Sequence, residues 1–203
     1  SSSDWSEQGL QDAVAAACSI ARMSQEDPCS GLADAARMAQ QFPDLDLHHP
    51  WTLSADEAIE RATACEAAAF AVDKRITQSE GASLSSFEGI DLYGNSHGFM
   101  GERRGTRHSL ACAVIATQGE EMQREDWWTS ARAANDLEDL AAVGRKAGER
   151  AVARLGARKI STRTAPVLFV PDMARSLFGH FIGAISGGAL YRKASFLLDK
   201  LGQ

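Results

Sequence analysis

The feature that most constrains the fold of this 203-residue chain is a change in hydrophobic period at residue 76. Upstream of that point apolar residues recur at helical spacing. Between Ile76 and Ala131 they alternate with polar residues, as in strands with one buried face. Turn clusters at residues 94–98 and 118–119 interrupt the alternation. We therefore predict an antiparallel meander with one face covered by helices.

Local signals predict where those helices begin. Ser6 can cap a first helix, and residues 54–57 (Ser-Ala-Asp-Glu) form a capping box that opens an alanine-rich second one. A third helix is predicted from Asp136 to Leu155, with Gly156 as its stop. Phe87 interrupts the alternation, which favours a β-bulge near Gly89.

The last fifth of the chain has a different pattern. Residues 157–165 are typical of a linker, and the apolar run at residues 166–170 predicts a buried strand. Pro171-Asp172 then predicts a helix start. The predicted class is α+β, helices packed on an antiparallel sheet, with residues 1–160 as the remainder of an N-terminal domain. Residues 161–203 would be a linker and the start of a second domain.

Composition limits the possible functions. A net charge of −6 argues against direct nucleic-acid binding, which needs a net basic face. We interpret the basic residues between 145 and 163 as a solvated helix face. Cysteines without short paired spacing indicate reduced thiols, and for Cys18, Cys65 and Cys112 we expect hydrophobic packing. No apolar run reaches about 18 residues, so we predict no membrane span.

Two sets of neighbouring residues lie on predicted strands, where the alternation of faces decides whether their side chains can meet. Arg107-His108-Ser109 contains a nucleophile and a base, but neighbours on a strand point to opposite faces. We therefore expect no contact between His108 and Ser109. By the same rule we expect Trp127 and Trp128 on opposite faces, one in the core and the other marking an interface.

The segment from Gly179 to Lys193 is built like a helix-borne metal site without its ligands. A zinc peptidase would carry two histidines one turn apart and a glutamate that activates water. Here His180 stands alone, with Gly179 before it and Ala184 on the next turn.

At these residues the chain resembles the TldD/TldE (PmbA) family, once called modulators of DNA gyrase. The peptidase branch, TldD, has a His-Glu-x-x-x-His motif followed by Asn-Arg-Lys. Registering that tripeptide on residues 191–193 places the two histidines at Gly179 and Ala184 and the glutamate at His180. The TldE branch is similar to this chain in lacking those ligands. Further matching segments lie at residues 27–29, 44–47, 73–77, 94–98, 106–109 and 195–199.

The resemblance implies a non-catalytic subunit that acts with a zinc-bearing TldD-like paralogue on small or unfolded peptides in the bacterial cytoplasm. It implies no metal in this chain, a heterodimer or homodimer, and a fragment without the family's N-terminal start and C-terminal domain. We assign the pseudo-active-site segment to Gly179, His180, Gly183 and Ala184. Peptide or partner contacts are expected at Gly187, Gly188, Arg192 and Lys193. We expect His180 to be structural, either packed and bonded to backbone or at an interface. The alternative is a regulatory protein that modulates DNA gyrase or its inhibitors without proteolysis.

Overall fold

The computed structural model describes residues 2–28, 30–200 and 202, which form two compact units, residues 1–157 and 158–203. The helices and strands of the first unit are α1 (Glu7–Met23), α2 (Ala55–Phe70), β1 (Ile76–Gly94), β2 (Met100–Gln118), β3 (Glu121–Ala131) and α3 (Leu140–Ala153). Short 3₁₀ turns lie at Ala35–Arg37 and Ala134–Asp136. The second unit contains α4 (Pro171–Ile185) and α5 (Gly187–Tyr191).

The three strands form one antiparallel sheet in the order β1-β2-β3, which confirms the α+β class and the meander. Along β2 the even-numbered side chains from Thr106 to Ala116 are buried, whereas the odd-numbered ones are partly or fully exposed. The buried face packs against α2 and α3. As predicted, neighbouring tryptophans point apart: Trp127 packs on the core, and Trp128 lies on the open face, 46% exposed.

Glycines allow α2 and α3 to approach each other closely. Gly144 on α3 lies against the main chain of α2, where an added Cβ would come within 2.0 Å of the carbonyl oxygen of Cys65. One turn later, a Cβ on Gly148 would lie 2.8 Å from the carbonyl oxygen of Ala69. The alanines of α2 serve the same purpose, since only small side chains fit between backbones this close.

The capping predictions are confirmed at two helices. Ser6 accepts a hydrogen bond from the Gly9 amide at the start of α1. Ser54 and Glu57 form the complete capping box of α2. The third helix begins later than predicted, at Leu140, because the Asp139 side chain caps it by accepting from the Ala142 amide.

Two strand predictions are wrong. Pairing runs without a shift through Gly89, and the irregularities lie instead between residues 76 and 81, where Gly81 has φ +102. Residues 86–94 are exposed on both faces apart from the half-buried Gly89, so their apolar pattern carries no register information. The segment at 166–170 is irregular and exposed, with Leu168 at 92%, because the described residues of the second unit offer it no strand to pair with.

The cysteines divide by location. Cys65 and Cys112 are buried in the core, as expected, and the contact with Cys65 together with burial raises the pKa of the Cys112 thiol. Cys18 is exposed on α1, contrary to the packing prediction. No residue of α1 is buried, so the apolar face of this helix does not bury Cys18. Cys29 lies outside the described residues.

Candidate functional site

The segment predicted to resemble a metal site lies on α4, which begins at Pro171 as the sequence predicts. Gly179, His180 and Gly183 are exposed along this helix, and Ala184 is half-buried. His180 forms no hydrogen bond within the described residues, so the expectation of a packed imidazole bonded to backbone is wrong for this chain. Its assignment to an interface stays a prediction.

The glycine-rich turn after α4 is helical rather than a loop with positive φ. Ser186 ends α4 and caps α5 by accepting from the Ala189 amide. Gly187 and Gly188 belong to that helix, and the left-handed residue is Lys193, with φ +55. The Arg192 side chain folds back over Gly188, where an added Cβ would lie 3.4 Å from one guanidinium nitrogen. These residues are exposed, and their assignment to peptide or partner contact stays a prediction.

The side chains at the registered positions do not fit a zinc ion. Structural zinc sites use four protein ligands, and catalytic sites use three and an open position. Gly179 and Ala184 have no side-chain donor atoms, which leaves the single imidazole of His180. Among the described residues, no group of three or more histidines, cysteines or acidic residues is arranged to hold a metal ion.

The buried histidine of β2 has two defined partners. His108 is 1% exposed; its Nδ1 lies 2.9 Å from Ser86 Oγ on β1, and its Nε2 lies 3.0 Å from the carbonyl oxygen of His49. A neutral ring with its proton on Nε2 satisfies both contacts, because Nε2–H donates to the carbonyl and Ser86 donates to Nδ1. Ser109 faces the other side of the sheet, as predicted. The serine beside the imidazole is therefore Ser86, which only the β1–β2 register identifies.

The segment before α2 is fastened to β2 through one threonine. Thr106 is 1% exposed; its hydroxyl accepts from the His49 amide at 2.9 Å and donates to the Arg132 carbonyl at 2.8 Å. Its amide donates to the Leu47 carbonyl at 2.9 Å. With His108 bound to the carbonyl of His49, both main-chain groups of that residue are satisfied from β2. We therefore assign His108 and Thr106 a structural role.

Some basic side chains of α3 contact β3, whereas we interpreted them from the sequence as a solvated helix face. Burial of Glu125 on β3 opposes its ionisation, but the hydrogen bond from Arg154 and the charge of Arg150 lower its pKa. Lys146 and Arg150 also lie over the Trp127 ring, with the lysine nitrogen 3.7 Å from the ring centroid. Part of this face therefore holds α3 against β3 rather than facing solvent.

Comparison with protein-family models defines the class of protein. Residues 48–155 match the PmbA/TldA metallopeptidase central domain, and residues 162–203 match the PmbA/TldA metallopeptidase C-terminal domain. The chain belongs to this family of metallopeptidases, the one that its motifs resemble.

Individual relatives agree with that assignment. The chain is 48% identical to Metalloprotease PmbA of Escherichia coli O157:H7 and 43% identical to its homolog in Haemophilus influenzae, over all 203 of its residues in both cases. It spans 45% of the length of each of these curated relatives. A Bacteroides thetaiotaomicron crystal structure, provisionally named a modulator of DNA gyrase, matches all of the chain and 47% of its own with a TM-score of 0.90 and 30% identity.

Proposed function

We propose that this chain is the metal-free subunit of a two-component peptidase, in which a paralogue of the TldD type supplies the zinc. One observation carries the proposal. In a chain of a metallopeptidase family, both positions registered with metal-binding histidines, Gly179 and Ala184, lack donor atoms. His180, in the position of the glutamate, has no polarised water to deprotonate.

The proposed substrates are small or unfolded peptides, including peptide-antibiotic precursors and antitoxins, in the bacterial cytoplasm. The sheet supports this choice because β1 and β3 are its edge strands. An edge strand carries unpaired amide and carbonyl groups, and an extended peptide can pair with them independently of its sequence. A folded substrate has few such segments to offer. Free thiols at Cys65 and Cys112 fit a reducing compartment.

The competing proposal is a regulatory protein that acts on DNA gyrase without proteolysis, in line with the name of the Bacteroides structure. The net charge of −6 favours contact with a protein over contact with DNA. Both proposals predict a binding protein, and they differ in whether a peptidase paralogue forms part of the complex.

Co-purification with the paralogue tests the proposal. We expect the purified chain to contain far less than one zinc per molecule, and the full-length protein to form a defined dimer by light scattering. Mixed with the paralogue at micromolar concentration, it should form a heterodimer that carries zinc and cleaves peptides. One tightly held zinc per chain, lost in His180→Ala, would contradict the metal-free assignment. If no complex formed with the paralogue at micromolar concentration, the result would favour the regulatory proposal.

The role of His180 is tested within that complex. His180→Ala should change the stability or the assembly of the complex more than its turnover, because no metal polarises a water beside this residue. As the matched control, replacing a metal-binding histidine of the paralogue should abolish turnover. If His180→Ala abolished cleavage in an intact, equally stable complex, the assignment would be wrong.

A further inference from the structure

Two arginines at the end of the sheet form no ion pair among the described residues, unlike the other arginines on the strands. Three of the four arginines on the strands pair with carboxylates: Arg103 with Asp91, Arg104 with Glu102, and Arg124 with Glu80 and Asp126. Arg107 on β2 is the exception. Arg132, one residue beyond β3, likewise forms no ion pair within the part of the chain that the structure describes. In a chain with a net charge of −6, two such neighbours need an explanation.

Arg107 and Arg132 line one cavity. It has a volume of about 200 Å³ and is lined by Thr106, Arg107, Ser130, Ala131 and Arg132. It lies where β3 ends, since Ala131 is the last residue of β3 and pairs with His108. No acidic residue lines it.

Most of the hydrogen-bond donors of Arg107 and Arg132 have no partner among the described residues. Arg107 Nε donates to Ser130 Oγ at 3.2 Å, and one terminal nitrogen of Arg132 donates to the Thr106 carbonyl at 3.4 Å. Each guanidinium has five N–H groups, so four remain on each side chain. The single hydrogen bond of each side chain fixes its orientation. Its acceptor is a neutral oxygen, so the positive charge of the guanidinium is not neutralised by it.

The two guanidinium groups and the size of the cavity indicate which chemical group it binds. Guanidinium forks match planar oxyanions and bind them through paired, charge-assisted hydrogen bonds. A cavity of about 200 Å³ is smaller than the 300–1,000 Å³ typical of a whole small-molecule ligand, so it fits one functional group of a larger molecule. In a chain proposed to hold peptides, that group is a carboxylate, from an acidic side chain or from a peptide C-terminus.

We propose that Arg107 and Arg132 form a carboxylate-binding site for a peptide ligand at the end of β3. The site rests on the proposed peptide-binding function and adds a preference to it: acidic or free-C-terminal peptides bind more tightly than neutral, capped ones. Because both arginines are exposed, the attraction is screened by salt.

Three fluorescent pentapeptides measure the preference by anisotropy with the full chain. The first carries one central glutamate and is amidated, the second has glutamine in its place, and the third is all alanine with a free carboxylate. We expect the glutamate or the free-acid peptide to bind about tenfold more tightly than the glutamine peptide, as expected for charge-assisted hydrogen bonds. Whichever of the two is preferred identifies the source of the carboxylate.

Charge-matched variants locate the site. Arg107→Gln and Arg132→Gln should each remove most of the preference. Arg103→Gln, which removes the same charge from an arginine already paired with Asp91, should retain it. Arg107→Lys keeps the charge but loses the fork, and should retain only part of the preference.

Equal affinity for all three peptides would overturn the site and leave general peptide binding intact. An equal loss in Arg103→Gln would also overturn it, because the effect would then be one of net charge. Neither result bears on whether the chain assembles with a zinc-bearing paralogue, so failure of the site and failure of the proposed function are distinguishable.

Discussion

Replacing Gly144 by alanine should destabilise the first unit, although alanine is the better helix former. Gly144 lies inside α3, where the substitution alone favours the helix by about 1 kcal/mol. Against this, the new Cβ would lie 2.0 Å from the Cys65 carbonyl oxygen, 3.0 Å from its carbonyl carbon and 3.1 Å from the Ala69 nitrogen. All three are main-chain atoms of α2, so no rotamer change relieves the clash.

The expected magnitude follows from these opposing effects. Overpacking a core costs about 1–3 kcal/mol, and a contact with rigid backbone belongs at the upper end. After subtraction of the gain in helix propensity, we expect a net loss of about 2 kcal/mol. For a unit of this size that lowers the midpoint of thermal unfolding by about 4–8 °C. Gly148→Ala should cost less, because its added Cβ would approach main chain only to 2.8 Å rather than 2.0 Å, and its other two close contacts are side-chain methyl groups of Ile76 and Val72.

Tryptophan fluorescence during thermal unfolding measures this loss. All four tryptophans lie within residues 1–157, so the signal reports the first unit alone. Gly183→Ala is the matched control: it lies in a helix of the second unit with nothing within 4 Å of its added Cβ, and should leave the midpoint unchanged. A Gly144→Ala chain as stable as the parent, or more so, would refute the close approach of α2 and α3.

Two further predictions concern the polar contacts of the first unit. Thr106→Val keeps the shape but leaves the His49 amide and the Arg132 carbonyl without their partner, so it should lower the free energy of unfolding in urea by about 2 kcal/mol; an unchanged value would refute the fastening role. Arg75, through its hydrogen bonds, lowers the pKa of Asp73 from 3.8 to about 2. The ionised carboxylate is the form favoured by folding, so its contribution is complete above about pH 4 and is lost as the pH falls towards 2. Arg75→Gln should raise the pKa of Asp73 in an NMR titration, and an unchanged value would contradict the assignment.

Much of the fold could be predicted because its signals are local. The capping box at Ser54 acts within four residues, and the alternation along β2 reflects the two faces of a single strand. Predictions failed where the determining contact was distant or lacking. Nothing in the residues around Gly89 shows that both faces of that part of β1 are exposed. The apolar run at residues 166–170 has the composition of a strand, but in the described residues no second strand pairs with it.

The candidate sites divide in the same way. The missing donors at Gly179 and Ala184 are a matter of residue identity, so the sequence alone shows that these positions cannot ligate zinc. Within the part of the chain that the structure describes, none of the helices has the length and hydropathy of a membrane span. The cavity between Arg107 and Arg132 could not be predicted, because these residues lie 25 positions apart and meet only through the pairing of β2 with β3.

The sequence by itself therefore determined the capped starts of α1 and α2, the alternation along β2, the family and the absence of donor atoms at Gly179 and Ala184. Each depends on residue type or on spacing over a few residues. Tertiary structure alone decided which groups meet. It pairs His108 with Ser86, and among the described residues it leaves Arg107 without an acidic partner while Arg103 has one. The physical reason is register: in a sheet, the partner of a side chain is set by how two strands align, and a shift of one residue would exchange every contact for another.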